Sequence, residues 1–154
     1  MADINYSQLI PEQAGHFKSH HWVHTEVANN RHLVTITGIA KIDYKGTSRD
    51  RWRRDRLLLG LKFPTSFIPR GKWFQIEHWA PFVTINAIFN EDLSRNAGWA
   101  VDEFGLSRPT QMKVRNSVGI WAKIAVRDSD GKIIRVGYSL TVSGVISDPP
   151  PPVT

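Results

Sequence analysis

Four of the six histidines in this chain lie close together, at positions 16, 20, 21 and 24. On a β-strand His20 and His24 would share a face, and on a helix His16 would join them, so imidazoles could meet around one metal ion. A fixed site needs three or more ligands, and the sequence lacks both a paired His-x-His pattern and His-Glu-x-x-His. We predict a histidine cluster without a metal. The alternative is a metal-dependent enzyme that uses His16, His20 and His24.

A second group of residues is basic. Six basic and two acidic residues lie between Lys45 and Arg56, which places four of the six net positive charges of the chain in this segment. Guanidinium groups donate paired hydrogen bonds to phosphate, and a tryptophan stacks on an unpaired base. The segment is therefore a candidate site for nucleic acid or another polyanion, although a solvated loop with internal ion pairs would have the same composition. The candidate residues are Arg49, Arg51, Trp52, Arg53, Arg54 and Arg56.

The third group is aromatic, because the chain contains six tryptophans. Trp121 falls on the polar side of an alternating segment, beside Lys123, where another sheet, a subunit or a ligand must cover it. Aromatic rings flanked by amides and carboxylates suit sugar rings, which have apolar faces and polar edges. Burial in sheet packing or in an oligomer interface is the first interpretation of these tryptophans, and where they form a ligand site we predict that the ligand is a glycan. The candidate residues are Trp99, Asn96, Asp102, Trp73, Gln75, Glu77 and Trp121.

Local enzyme motifs are absent from the sequence, including Gly-x-Ser-x-Gly, the phosphate-binding Gly-rich loop and the dinucleotide fingerprint. The adjacent acidic residues Asp102 and Glu103 would point to opposite faces of a strand, so this pair could not flank one scissile bond. Residues 128–131 resemble the start of a calcium loop, but its twelfth position is Ser139 instead of glutamate. We therefore favour a non-catalytic protein, and an active site assembled from distant strands stays open.

The elements that must position these residues are β-strands. Apolar and polar residues alternate over 113–126 and 133–146, and Asp130-Gly131 between them is typical of a tight turn, so we predict one long hairpin. Other segments rich in β-branched, aromatic or leucine residues are separated by turn-forming residues. These further predicted strands are 20–27, 33–44, 56–63, 72–79, 82–89 and 98–104.

About eight strands at this spacing predict an all-β fold, a single antiparallel β-sandwich of jelly-roll type over residues 20–147. We expect residues 1–19 to form an irregular or briefly helical lead-in. Residues 148–154 contain four consecutive prolines and should form an extended tail.

Composition narrows the biochemical setting. The chain contains no cysteine, which excludes disulfides and thiolate metal sites. The first residues lack the features of a secretory signal, and no apolar run approaches the roughly 20 residues of a membrane-spanning helix. We expect a soluble cytoplasmic homo-oligomer without a cofactor. A glycan is the favoured ligand, and nucleic acid or another polyanion is the alternative partner.

Overall fold

The computed structural model describes residues 2–5, 21–43, 51–62, 64–89, 97–107, 113–115, 117–127 and 133–151. All regular elements in these ranges are β-strands, which confirms the predicted all-β class. The strands are β1 (Ala2–Asn5), β2 (His21–Ala28), β3 (Arg31–Asp43), β4 (Trp52–Lys62), β5 (Trp73–Phe89), β6 (Gly98–Ser107), β7 (Lys113–Val114), β8 (Ser117–Arg127) and β9 (Ile133–Ser147).

The strands form two sheets that pack face to face as a β-sandwich. The larger sheet is antiparallel and has the order β2-β3-β9-β5-β7. The smaller sheet contains antiparallel β4, β8 and β6, with β1 running parallel to β4 at one edge. The expected irregular lead-in over 1–19 therefore does not hold at Ala2–Asn5, because backbone pairing with β4 makes these residues a strand.

Each strand from β4 to β9 lies in the opposite sheet from the strand before it. The predicted hairpin of 113–126 with 133–146 is therefore wrong, because β8 pairs with β4 and β6, whereas β9 pairs with β3 and β5. Alternation specifies which face of a strand is buried, but it does not specify the neighbouring strand. A hairpin does join β2 to β3, where Asn30 adopts a φ of 56° that asparagine tolerates in turns.

The predicted buried faces of the last two long strands are confirmed. In β9, Leu140 is fully buried, and the even-numbered positions on either side of it also face the core. The even-numbered residues of β8 pack against them from the other sheet. Burial of each large aliphatic side chain contributes about 1.5–3 kcal/mol. The core residues of β8 and β9 are Val118, Ile120, Ala122, Ile124, Val126, Val136, Tyr138, Leu140 and Val142.

Two strand boundaries differ from the expectation. β4 begins at Trp52 instead of residue 56, so much of the arginine-rich segment is strand and not loop. β5 runs without interruption through Pro81, where we expected a break between two strands. Proline is tolerated there because β7 pairs only with Phe74 and Gln75, which leaves β9 as the described neighbour of the rest of β5.

The assignment of faces in β9 can be tested with two adjacent substitutions. We expect Leu140→Asp to abolish cooperative unfolding, because a buried unpaired carboxylate costs several kcal/mol out of a total stability of about 5–15 kcal/mol. Thr141→Asp should retain a cooperative transition, because Thr141 lies on the outer face, where its Oγ1 is 3.2 Å from Thr35 Oγ1. Denaturant unfolding curves of both variants decide the matter, and equal damage from the two would contradict the register.

Candidate functional site

The outer face of the smaller sheet carries tryptophans and cations in regular rows. Directly opposite residues of antiparallel strands share a face, so the register of β4, β8 and β6 defines these rows. The rows are Trp52, Arg127 and Gly98; Arg54, Ala125 and Ala100; Arg56, Lys123 and Glu103; and Leu58, Trp121 and Gly105. We call this surface the basic–aromatic face, defined by Trp52, Arg54, Arg56, Trp121, Lys123 and Arg127.

Trp121 lies against the sheet at the position of Gly105. A Cβ atom on Gly105 would be 2.9 Å from three atoms of the indole ring, so the missing side chain makes room for it. The guanidinium carbon of Arg56 is 5.4 Å from the ring centroid, and Nζ of Lys123 is 6.0 Å away. Both distances are typical of cation–π contacts, which hold two cations beside a half-buried ring.

Trp52 marks the other end of the same face and is 41% exposed. The guanidinium carbon of Arg127 lies 5.3 Å from its ring centroid. Trp121 pairs in register with Leu58, six positions after Trp52, so the two tryptophans are separated by about 20 Å along the strands. Two aromatic side chains, each with a cation beside it, are therefore spaced along one flat surface.

Two acidic residues of β6 pair with cations of this face. Nζ of Lys123 is 2.7 Å from Glu103 Oε2, and Nε of Arg54 is 3.9 Å from Asp102 Oδ2. These side chains are all exposed by about 40% or more, so each pair contributes only about 0–1 kcal/mol. Pairs this weak can be exchanged for contacts with a phosphate group. The described part of the face contains four cations and two carboxylates, which is an excess of positive charge.

The structure divides the predicted polyanion residues between the two faces of β4. Arg53 lies on the core side, where its Nε is 2.7 Å from an oxygen of Asp55, which is only 2% exposed. Trp52, Arg54 and Arg56 lie together on the outer side. Arg51 is exposed immediately before β4. Arg49 lies outside the described residues.

Of the predicted glycan residues on β5, two share one face of the sheet and the third is paired elsewhere. Trp73 and Gln75 are two residues apart and share the outer face of the larger sheet. Glu77 lies at a register shift between β5 and β9, where its Oε2 accepts a hydrogen bond from Arg31 Nη1 at 2.7 Å. The carboxylate of Glu77 is therefore paired with a residue of β3, which lies beyond β9 in the same sheet.

The remaining predicted glycan residues lie in separate places. Trp99 is 51% exposed and stands opposite Val126, a core residue, at the end of β6. Asp102 faces outward to Arg54, and Asn96 lies outside the described residues. Trp121 belongs to the basic–aromatic face.

Of the three predicted metal candidates, His24 is described, whereas His16 and His20 lie outside the described residues. His24 Nε2 is 2.9 Å from His32 Nδ1, and its ring stacks on Phe67 with centroids 4.1 Å apart. In the described ranges, no group of three or more histidine or acidic side chains is placed to hold a metal ion. Sequence analysis did not identify His32 as the partner of His24, because the pairing of β2 with β3 determines that contact.

The environment of His24 changes its protonation. Burial lowers the pKa of His24 below its ordinary value of 6.5, the neighbouring His32 lowers it further, and Glu26 opposes these effects. The His24 imidazole therefore stays neutral to lower pH than an exposed histidine. The neutral His24 ring can then share a hydrogen bond with His32.

Comparisons of the chain with protein-family models, with curated proteins and with solved structures find no match. A search of the described residues for a helix able to span a membrane also finds none. A function must therefore be inferred from the side chains themselves, from their exposure and from the distances between them.

The lowered pKa of His24 predicts a pH-dependent stability. We expect the free energy of unfolding to fall as the pH decreases below 6.5, because unfolded His24 binds a proton that the folded environment resists. The loss is complete below the folded-state pKa. Urea unfolding at pH 7.5 and 5 measures this effect, and His24→Phe should reduce it. An unchanged pH dependence in His24→Phe would contradict the assignment.

The packing of the Trp121 ring over Gly105 predicts a second measurable effect. Gly105→Ala should displace the indole ring and weaken its cation–π contacts, each worth about 0.5–1 kcal/mol at an exposed site. We expect a changed emission maximum and stronger iodide quenching of tryptophan fluorescence. The same substitution in a Trp121→Phe background should leave the spectrum unchanged. A spectral change that persists in that background would place the effect on another tryptophan.

Proposed function

We propose that this protein is a non-catalytic recognition module that binds nucleic acid through the basic–aromatic face. The observation that supports this most strongly is the interleaving of Trp52 and Trp121 with arginine and lysine side chains on one outer sheet face. Guanidinium and ammonium groups bind the phosphates of the backbone, and tryptophan rings stack on bases. The phosphates and the bases of a nucleic-acid strand thus each have side chains on this face that can bind them.

A single strand fits the proposed site better than a duplex. Reading a duplex through its major groove requires a protruding helix or a two-stranded ribbon, whereas this face is part of a sheet. Unpaired bases stack on aromatic side chains, and each stacked base contributes about 1–3 kcal/mol. The separation of about 20 Å between Trp52 and Trp121 suits a site of about four nucleotides or more.

The acidic pairs on the face fit a reversible interaction. Glu103 and Asp102 pair weakly with Lys123 and Arg54 in the free protein. Because these pairs are exposed, phosphate oxygens compete with the carboxylates at little cost. Binding by such contacts weakens steeply with salt, since it is driven by the release of counterions from the nucleic acid.

We also infer that the sandwich is of jelly-roll type and that copies of it assemble. Support comes from the chain crossing between the sheets at every connection from β3 to β9, as in a two-sheet jelly roll. Jelly rolls include lectins and viral capsid proteins, so the fold by itself does not select the ligand. A homo-oligomer would present several basic–aromatic faces to one strand and raise the apparent affinity.

A glycan on the predicted tryptophan residues has less support. Trp73 and Trp99 lie on different sheets, and Glu77 and Asp102 are paired with arginines. The cations around Trp121 favour an anionic partner over a neutral sugar. We therefore place nucleic acid first.

Charge reversal on the proposed face tests the nucleic-acid hypothesis. The probe is a fluorescein-labelled oligodeoxythymidine of about 12 nucleotides, long enough to cover the site. Arg54→Glu/Arg56→Glu should abolish most binding at low salt and make the dependence of log affinity on log salt shallower by about 1.4, or about 0.7 per lost contact. Trp121→Ala should weaken binding about tenfold or more with little change in salt dependence.

A matched control distinguishes binding at this face from an effect of the overall net charge. Lys113→Glu/Arg115→Glu reverses two cations near the edge of the larger sheet and changes the net charge equally. We expect this control to bind nearly as the parent protein does. Equal loss in the two double variants, or no binding by the parent protein at low salt, would overturn the proposed function.

A further inference from the structure

The outer face of the larger sheet contains an open groove of about 430 Å³. The strand register places two rows of residues across it. One row is His21, Thr37, Ser139 and Phe82, and the next is Ile39, Gly137 and Thr84. Because Gly137 has no side chain, the second row has a gap at its centre, and this gap forms the floor of the groove.

A β-bulge places an amide above this floor. The register between β5 and β9 shifts between Ile85 and Ala87, which leaves Asn86 without a directly opposite residue. A Cβ atom on Gly137 would lie 2.7 Å from Asn86 Nδ2 and 2.9 Å from its Oδ1. The Asn86 amide therefore lies across Gly137. Bulges of this kind commonly re-aim a side chain beside a site.

The groove is lined mainly by apolar surface, with a few uncharged polar groups. Phe82 is 53% exposed and Ile39 is 38% exposed, one on either side of the floor. Thr37, Thr84 and Ser139, which each carry a hydroxyl, also line the groove. The amide of Asn86 adds both donors and an acceptor, and a hydroxyl can act as either. None of the described lining residues is acidic, lysine or arginine.

We propose that this groove binds a neutral oligosaccharide. A sugar ring has an apolar face that suits the exposed ring of Phe82 and hydroxyls that suit the amide of Asn86 and the hydroxyl of Ser139. The absence of lysine, arginine and acidic residues from the described lining favours a neutral ligand over a phosphate or an acidic sugar. A volume of about 430 Å³ lies within the usual range of ligand sites, and the open form of the groove leaves room for a chain of several sugars.

This site is separate from the proposed nucleic-acid surface. The groove lies on β2, β3, β9 and β5, whereas the basic–aromatic face lies on β4 and β8 of the other sheet. Substitutions at each site should therefore affect the binding of one ligand and leave the binding of the other unchanged. Groove variants should leave oligonucleotide binding unchanged, and Arg54→Glu/Arg56→Glu should leave sugar binding unchanged.

The experiment uses the full chain on an array of neutral and sulfated oligosaccharides, followed by titration calorimetry with the neutral compound that binds most strongly. Phe82→Ala and Gly137→Ala should each weaken binding about tenfold or more, the first by removing the stacking ring and the second by displacing Asn86. Binding should persist at high salt, since no charge pairs are involved.

Phe104→Ala is the matched control for Phe82→Ala. The two rings meet edge to face with centroids 5.8 Å apart, so either truncation removes that contact, but only Phe82 lines the groove. We expect Phe104→Ala to bind as the parent protein does. Equal loss in both variants, or binding only to sulfated compounds, would overturn the proposal.

Sedimentation velocity provides a second check, because a second copy of the chain could occupy the same face. Phe82→Ala and Gly137→Ala should leave the sedimentation coefficient unchanged. If they instead dissociate an oligomer and no neutral oligosaccharide binds the parent protein, the groove is a subunit contact and the saccharide proposal is overturned.

Discussion

The two sheets share one apolar core, and this packing determines what their outer faces can present. In β4, Leu57 and Leu59 are fully buried against residues of the other sheet, so the alternate positions Arg54 and Arg56 must face outward. A slip of one residue would bury two guanidinium groups and expose the leucines. The energy that maintains the core therefore also maintains the orientation of the basic–aromatic face, even though none of its cations contributes much stability itself.

Missing side chains shape both proposed sites. Gly105 leaves space for the Trp121 ring on the smaller sheet, and Gly137 leaves a depression on the larger one. In each case a larger neighbour, Trp121 or Asn86, lies across the glycine instead of standing away from the sheet. A flat β-surface thereby gains a ring at one place and a concave floor at another, without any change in strand pairing.

The sequence allowed the fold class and the buried faces to be predicted, because a period of two directly reflects the geometry of a strand. It did not allow the pairing to be predicted, since strands from β4 to β9 find their neighbours in distant parts of the chain. The groove was missed for the same reason, because Ile39, Gly137 and Thr84 become adjacent only through the order β3-β9-β5. The contact of His24 with His32 likewise depends on the register of β2 with β3.

The two outer faces differ in chemistry, and the distance between them keeps them independent. Packed sheets are separated by about 10 Å, and charges at physiological salt are screened over about 8 Å, so cations on one outer face have little effect on the other. Two copies of this chain, each with a net charge of +6, would repel most where their basic–aromatic faces met. The described rows around Gly137 contain no lysine or arginine and lack that repulsion. A ligand in the groove and a contact between copies would therefore compete for the same surface, whereas nucleic acid would bind without competing with either.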